Sequence, residues 1–453
     1  MIVTIFSFFL HQSLLFWQII IAVSTLVFVG LVIRFFQQRQ KHQPLQEMET
    51  NAPSGPHEWE SKMKELAKQQ LFVKWMKYNF VVSRSNQKAY RQLNAIRTTI
   101  EHTPADIISL IPSAQWLFDN FHIIYREIKK VKTTGTSYLE LPIIDKGKHT
   151  GYPRIYVIAK HMVSMTNGYV SEETITSLIR SYQSETVLMN RELQVLPEMI
   201  GLCLLERVIK VAQDIIHKIQ LKVKANQQVH QRIQEIAGIM DISRLLVAQE
   251  HVYPDDIAYH SQVVYVLKNK AVVESLIQEY MNFHFPANLN LQNPSEIFIL
   301  EGRLEVGLEA SIRTLIVSLM TMSKLDGEAM FETLSRVEHI LAKDPDLVYS
   351  NMDADSRGLY RQQVEKLALR YKLKEEEVAT RCIMLAQQGH PDLWHPHHVG
   401  SYLIDRGKPV LIASLQNKDL PKTLKKQKSN QANFWLYFGT ATLIWLFLHG
   451  GLG

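Results

Sequence analysis

Hydrophobic residues fall into two patterns along this chain. Leu14 to Ile33 form an uncharged apolar run of 20 residues, and Phe434 to Leu448 form a shorter run near the other end. Between the runs, apolar residues recur at the three-to-four-residue spacing of amphipathic helices, and strand-like alternation is almost absent. We therefore predict an all-α protein, with a cytoplasmic helical region tethered by an N-terminal and a C-terminal transmembrane helix.

The flanks of the apolar runs predict the topology. A 20-residue helix rises about 30 Å, the thickness of a hydrocarbon core. Arg34 and Lys41 follow the first run, and Lys418 to Lys428 precede the second, so both basic flanks face the middle of the chain. The positive-inside rule then places the central region in the cytoplasm and the protein in the inner membrane, with the lipid bilayer as a partner. A signal peptide is the alternative for the first run, but its basic leading segment is missing.

Helix-period segments and their breaks predict the domain organisation. One amphipathic helix is expected from Trp59 to Phe80 and another from Trp116 to Ile128, while Pro153 and Ser171 mark two helix starts. An Asn- and Pro-rich break at 286–294 divides the central region. The predicted segments are an anchor at 1–36, a linker at 37–57, a first bundle at 58–285, a second bundle at 295–417, a basic linker at 418–433 and a transmembrane helix at 434–453.

Composition narrows the function class. Hydrophobic residues make up 46% and charged residues 21% of the chain, which is typical of a globular protein. The net charge of +6 comes without an aromatic-plus-basic stripe, so no nucleic-acid partner is expected. Cys203 and Cys382 lie far apart in apolar helical contexts and indicate neither a disulfide nor a cysteine-based zinc site.

Few motifs point to catalysis. The sequence contains no GxGxxG after a strand, no GxxxxGK[ST], no GxSxG and no HExxH, and Asp145 to Gly151 (DKGKHTG) only loosely resembles a phosphate loop. Asp353 and Asp355 form a DxD, a pattern that can hold Mg²⁺ or Mn²⁺ against a diphosphate when it lies on a strand-end loop. Here the two residues precede a helix, where an N-cap is the favoured interpretation. We predict neither a cofactor nor a metal in this chain.

Four histidines within nine residues are the other candidate metal ligands. They lie in the segment HPDLWHPHH, whose two prolines exclude a helix that would align two imidazoles. Because the spacing matches no defined site, a solvated loop is the favoured interpretation. The histidines are His390, His395, His397 and His398.

Eight stretches, in order, resemble the N-terminal cytoplasmic region of the cyclic β-1,2-glucan synthases. The most specific stretch is Asp344 to Arg361 (DPDLVYSNMDADSRGLYR). The others are WLFDNFHIIYREI from 116, YLELP from 138, GYPRIYVIA from 151, SYQSETVLMNRELQVLP from 181, FETLSRVEHIL from 331, EEVA from 376 and HVGSYLIDRG from 398. Two departures stand out: Gly358 lies inside an expected helix, and the GEL-like stretch appears as Asn190-Arg191-Glu192-Leu193, with its Gly replaced.

The resemblance implies a role in glucan synthesis. Synthases of this family make periplasmic glucan from UDP-glucose, and this chain resembles their front part without the glycosyltransferase and phosphorylase-like modules. We expect an accessory or truncated front part that supports glucosyl transfer by a partner catalytic polypeptide, which would hold UDP-glucose and Mg²⁺. The chain would then belong to a split system or be a remnant.

Two alternatives stay open. The first is a non-catalytic, membrane-anchored helical scaffold that is no longer tied to glucan. The second is a complete transferase that uses the Asp353/Asp355 pair.

The resemblance also suggests one candidate site, because these synthases are thought to carry the growing glucan on the protein. Tyr360, with Asp353 and Arg361 nearby in the same motif, is the candidate glucan acceptor. The competing interpretation is that Tyr349 and Tyr360 are half-buried helix tyrosines whose hydroxyls reach solvent or a carboxylate.

Overall fold

The protein is mainly helical. A computed structural model describes residues 55–70, 73–77, 81–133, 140–147, 149–235, 256–270, 272–285 and 293–417. These residues form 18 α-helices and a single two-stranded antiparallel sheet, so the predicted all-α class is confirmed. Both predicted transmembrane helices, the basic linker and nearly all of the first linker lie outside the described residues.

The described chain divides into two compact units. Unit 1 comprises the residues up to Val187 together with Gln194–Asp326, and unit 2 comprises Leu188–Leu193 together with the residues from Gly327 onward. The bundle limits 58–285 and 295–417 stay a prediction.

Unit 1 is built around one long helix, α9. This helix of 40 residues packs against α2, α6, α10 and α12. The elements are α1 (Pro56–Gln69), β1 (Val73–Lys77), α2 (Val81–Glu101), α3 (Ala105–Ile108), α4 (Pro112–Asp119), α5 (Phe121–Thr133), β2 (Glu140–Ile144), α6 (Arg154–Met165), α7 (Glu172–Gln183), α9 (Leu196–Glu235), α10 (Ile257–Asn269), α11 (Glu274–His284) and α12 (Glu296–Lys324).

Unit 2 is centred on α16, a 14-residue helix that packs against α14, α15, α17 and α18. Its core contains Leu341, Val364, Ala379 and Val399, all fully buried. The elements are α8 (Asn190–Gln194), α13 (Gly327–Leu334), α14 (Arg336–Leu341), a 3₁₀ turn (Tyr349–Asn351), α15 (Ala354–Tyr371), α16 (Glu375–Gln388), α17 (Val399–Leu403) and α18 (Lys408–Leu415).

The predicted helix from Trp59 to Phe80 is wrong in its second half. Helix α1 ends at Gln69, and Val73–Lys77 forms β1, which pairs with β2 in the register Val73 to Ile144. Helical spacing of apolar residues is only a local signal. Here a strand 67 residues away supplies the backbone hydrogen bonds, and long-range pairing overrides the local pattern.

The helix starts were predicted more accurately than the helix lengths. Ser171 caps α7, because its Oγ accepts a hydrogen bond from the Thr174 amide at 3.2 Å, as predicted. The expected helix from Trp116 to Ile128 is interrupted at Asn120, whose side-chain amide donates to the Trp116 carbonyl at 2.9 Å. The side chain thus competes with the helical hydrogen bonds and separates α4 from α5.

One described helix, α12, is long and apolar enough to cross a membrane by length and composition. One third of its most apolar window is buried inside the protein, and core helices of soluble proteins pass the same test.

Candidate functional site

Asp353 serves as the N-cap of α15. Its Oδ1 accepts a hydrogen bond from the Ser356 amide at 2.9 Å, and its Oδ2 accepts one from the Ser356 hydroxyl at 2.8 Å. The Ser356 amide, and then the Ser356 hydroxyl, hold the pKa of Asp353 below its ordinary value. The N-cap interpretation of the DxD is therefore confirmed.

Arg361 lies in a buried ionic cluster on the next turns of α15. Its guanidinium donates to Glu338 Oε2 at 3.0 Å and to Glu328 Oε1 at 2.7 Å, and it lies 4.7 Å from the ring centroid of Phe331. These contacts direct the arginine toward α13 and α14. Its observed role is to neutralise the buried Glu338 and the exposed Glu328 rather than to contact Tyr360.

Glu338 is the centre of this cluster. Besides Arg361, its carboxylate accepts hydrogen bonds from Arg357 at 3.2 Å and from the Tyr349 hydroxyl at 2.8 Å. Burial, and then the Glu338 charge, raise the pKa of Tyr349 well above its ordinary value. Tyr349 therefore reaches a carboxylate, as one interpretation predicted, but it is fully buried rather than half-buried.

Tyr360 belongs to a different hydrogen-bonded chain. Its hydroxyl lies 3.1 Å from His398 Nε2, and His398 Nδ1 lies 2.7 Å from Asp344 Oδ2. Because a carboxylate only accepts hydrogen bonds, Nδ1 of the neutral imidazole carries the proton and Nε2 accepts from the tyrosine. A hydroxyl, an imidazole and an orienting carboxylate are thus arranged in the order used for activated nucleophiles.

Asp344 is held by three donors. Besides His398, the Val399 amide donates to Oδ1 at 2.9 Å and the Tyr349 amide donates to Oδ2 at 3.1 Å. Burial alone would raise the pKa of Asp344, but the hydrogen bonds from His398, Val399 and Tyr349 outweigh it and hold the pKa below 3.8. The carboxylate is therefore charged at neutral pH and fixes the orientation of His398.

Access to the Tyr360 hydroxyl is restricted. The residue is 8% exposed, and burial, followed by the Asp344 charge, raises its pKa. Gly400 makes this arrangement possible, because a Cβ at that position would lie 2.4 Å from the Tyr360 oxygen. The three candidate site residues are thus separated by role, and only Tyr360 faces a base.

The histidine segment is partly buried. His395 and His397 are exposed, in keeping with a solvated loop, but His398 is drawn inward against Asp344, so the loop interpretation is wrong for that residue. The region of the chain that the structure describes contains no group of three or more His, Cys, Asp or Glu side chains placed to hold a metal ion.

Sequence reasoning missed Asp344, His398 and Glu338 as partners of the tyrosines. All three lie inside the stretches that carry the glucan-synthase resemblance, namely DPDLVY, HVGSYLIDRG and FETLSRVEHIL. The motifs marked the right segments, but separations of 11 to 54 residues concealed the pairing.

Unit 1 contains a second buried ionic cluster. Lys222 Nζ lies 2.7 Å from Glu301 Oε1, and Lys218 Nζ lies 2.6 Å from Glu305 Oε2. The Ser113 amide also donates to Glu305, at 2.7 Å. Burial lowers the pKa of Lys222, and the Glu301 charge opposes that shift. The cluster joins α9, α12 and the start of α4.

Cys203 and Cys382 are both free thiols and both buried. Cys382 lies in the core of unit 2, where burial raises the pKa of its thiol. The prediction that they form no disulfide is confirmed.

Comparison with known proteins gives one informative match. No protein-family model matches the chain. The chain is 26% identical over 323 residues to the cyclic beta-(1,2)-glucan synthase NdvB of Rhizobium meliloti (strain 1021), and the match covers 68% of this chain. It covers 11% of that synthase, so the chain is similar to a small part of a much larger protein. This similarity supports the resemblance to cyclic β-1,2-glucan synthases and a relation to glucan synthesis.

Proposed function

We propose that this chain is a non-catalytic front component of a membrane system for cyclic β-1,2-glucan synthesis. It would support glucosyl transfer from UDP-glucose by a partner glycosyltransferase, which would hold the nucleotide sugar and its Mg²⁺. The observation that carries the proposal is the extended similarity to a part of a glucan synthase. The helical character of the described region agrees with a supporting role, because phosphate-cradling loops usually join strands to helices.

We further propose that the chain is anchored in the inner membrane by Leu14 to Ile33 and Phe434 to Leu448, with the central region in the cytoplasm. The support is the length of the first run and the basic residues on the inner side of both runs. Cysteine labelling of single-cysteine variants at the two ends of each run, in intact cells and in lysed cells, tests this topology.

The function is tested by copurification and by glucan output. We expect the tagged full-length chain, extracted from its native membrane, to retain a glycosyltransferase, and deletion of the chain to reduce glucan formed from labelled UDP-glucose. A chain that binds UDP-glucose by itself would instead support a complete transferase. Unchanged glucan output and no retained transferase would favour the helical scaffold.

A second candidate role concerns Tyr360 as a covalent glucan acceptor. The observation in its favour is the hydrogen bond from Tyr360 to His398, which Asp344 orients. In that step Tyr360 Oη would bond to C1 of glucose while the C1–O bond to UDP breaks. UDP would leave with the bonding electrons, and the hydroxyl proton would pass to His398 Nε2.

This role makes a separate prediction. The partner would supply the transferase site, and the buried hydroxyl would have to become accessible to the sugar. We expect Tyr360→Phe to abolish protein-bound glucose after incubation with labelled UDP-glucose and the partner. Tyr169→Phe, at an exposed tyrosine of unit 1, is the matched control. Label retained by Tyr360→Phe would exclude the acceptor role and leave Tyr360 as a structural hydrogen-bond donor.

A further inference from the structure

The loop between α16 and α17 is held in a defined conformation. The Ser401 hydroxyl donates to the His395 carbonyl at 2.6 Å, and the Tyr402 hydroxyl donates to the Pro396 carbonyl at 2.8 Å. At its start the loop is anchored by Leu393, which is buried, and at its end by His398 on Asp344. Loops without such contacts are mobile, whereas this one presents its remaining side chains from a fixed frame.

Trp394 lies at the outer side of this loop and is 93% exposed. Burial of a large apolar side chain stabilises a protein by about 1.5–3 kcal/mol, so tryptophan rarely lies fully in solvent. The hydrogen bonds to the His395 and Pro396 carbonyls fix the backbone directly after the indole. The ring is therefore held in solvent with its faces accessible.

His397, three residues further on, presents a hydrogen-bond acceptor on the same loop. Its Nδ1 lies 2.8 Å from the Ala386 carbonyl, so Nδ1 donates and Nε2 is the acceptor of the neutral ring. The ring packs over Gly389, which has a φ of +69°, and a Cβ there would lie 2.7 Å from His397 Cε1. A glycine is thus required for this position of the imidazole.

We propose that Trp394 and His397 form a binding site for the glucosyl units of a β-glucan, an inference that rests on the proposed function. A glucopyranose ring has a C–H face, whose partial positive charge favours the negative face of an indole, and equatorial hydroxyls that donate hydrogen bonds. The indole of Trp394 would stack against the C–H face of the sugar, and His397 Nε2 would accept a hydrogen bond from one of its hydroxyls. The loop would hold the glucan chain next to the segment that bears His398.

A sugar suits this surface better than a protein partner does. Protein interfaces bury an anchor residue within a contiguous patch of other contacts. The loop residues around Trp394 are instead Pro391, Asp392 and His395, which are exposed and mostly polar. One aromatic face beside polar groups matches a sugar ring, which has a single apolar face and a rim of hydroxyls.

Titration calorimetry of the full-length chain in detergent with β-1,2-linked glucooligosaccharides tests the site. We expect Trp394→Ala to weaken binding at least tenfold, His397→Ala to weaken it several-fold, and Trp394→Phe to retain part of it. Tyr169→Ala, at a residue of unit 1 that is 52% exposed, is the control and should bind as the unchanged protein does. Maltooligosaccharides, whose α-1,4 linkage curves the chain differently, should bind more weakly.

Several results would overturn the site. The first is no glucan binding by the unchanged protein, and the second is equal glucan binding by Trp394→Ala. The third is a Trp394→Ala variant that keeps its glucan affinity but no longer copurifies with the glycosyltransferase. That third result would make the loop a protein-docking surface. Because Trp394 lies in solvent, its substitution should leave the thermal unfolding midpoint unchanged. Absence of glucan binding by the unchanged protein, with copurification of the glycosyltransferase intact, would refute this site alone, whereas absence of copurification with the unchanged protein would refute the proposed function.

Discussion

Both units bury charged residues, but they surround them differently. In unit 1, two lysines face two glutamates, and the ion pairs lie between two long helices. In unit 2, each central carboxylate is surrounded by donors: Asp344 by two amides and an imidazole, and Glu338 by two arginines and a tyrosine. The first arrangement sets the register of α9 against α12, whereas the second orients particular side chains, including the imidazole beside Tyr360.

The two units should also respond to pH in opposite directions. Unit 1 contains His260, a buried imidazole whose pKa is lowered to about 4, first by burial and then by the His284 charge. Unit 2 contains Glu375, a buried carboxyl whose pKa is raised to about 7, first by burial. A fall in pH should therefore lower the stability of unit 1, and a rise in pH should lower the stability of unit 2.

The largest effect should come from breaking the ion pairs of unit 1. Lys222→Met leaves Glu301 with less neutralising charge in a buried site and should lower the free energy of unfolding by about 3–5 kcal/mol. The double variant Lys222→Met/Glu301→Leu should recover most of that loss, because it removes both charges. Denaturant unfolding followed by circular dichroism measures both, and equal losses in the single and double variants would contradict a coupled pair.

His260 should make unit 1 sensitive to mild acid. The imidazole lies 2.6 Å from the Tyr280 hydroxyl and also faces His284 and Asp256. The unfolded chain takes up a proton near pH 6.5, whereas the folded protein does so near pH 4, so stability falls as the pH drops between these values. The loss should reach about 3 kcal/mol. Hydrogen exchange of α10 amides at pH 7 and pH 4 measures it, and His260→Gln should reduce the difference.

Glu375 should make unit 2 less stable above neutral pH. Its Oε2 accepts from the Asn190 amide at 2.9 Å, and Glu365, Glu192 and Arg191 are the charges that face it. The folded protein keeps the proton up to about pH 7 and the unfolded chain loses it near 4.5, so stability decreases as the pH rises through this window.

The matching variant is Glu375→Gln, which keeps an acceptor for the Asn190 amide and removes the charge. At pH 8 it should be more stable than the unchanged protein by at most about 3 kcal/mol, and at pH 4 the two should be equal. Hydrogen exchange of α16 amides provides the measurement. A variant less stable at pH 8 would show that burial does not raise the pKa of Glu375 in the folded protein.

Asp344→Asn tests the role of the Asp344 carboxylate, which three hydrogen-bond donors surround. The asparagine keeps the shape but has one acceptor oxygen instead of two, so it cannot accept from both His398 and the Val399 amide, and a charge-assisted hydrogen bond is lost at a cost of about 2 kcal/mol. We also expect His398 to change tautomer, which nitrogen-15 NMR of the imidazole detects. An unchanged tautomer would show that Asp344 does not orient His398.

The smallest effect concerns Gly358 inside α15. An added Cβ would meet Arg361 Nη2 at 3.6 Å, an ordinary contact, so Gly358→Ala should stabilise unit 2 by about 1 kcal/mol through helix propensity. Thermal unfolding measures the gain. A loss would mean that the methyl group disturbs the Arg361 ion pairs.

Local signals in the sequence predicted local structure correctly. The N-caps Ser171 and Asp353 are readable because capping depends on a side chain and an amide three residues away. The strand Val73–Lys77 could not be predicted from the local sequence, because its partner strand lies 67 residues further along the chain. Tyr360 could be named as a candidate from its motif. Its base, His398, could not, because it lies 38 residues away in the sequence.

Composition and periodicity were enough to predict the helical class and the two apolar runs, and the motif stretches carry the resemblance to a glucan synthase, since each depends on neighbouring residues alone. The pairings of Lys222 with Glu301 and of Tyr360 with His398 and Asp344 depend on which helices pack together. Packing also decides which histidines of one loop face solvent. Burial and the direction of a side chain are properties of the folded chain, so they became visible only with the tertiary structure.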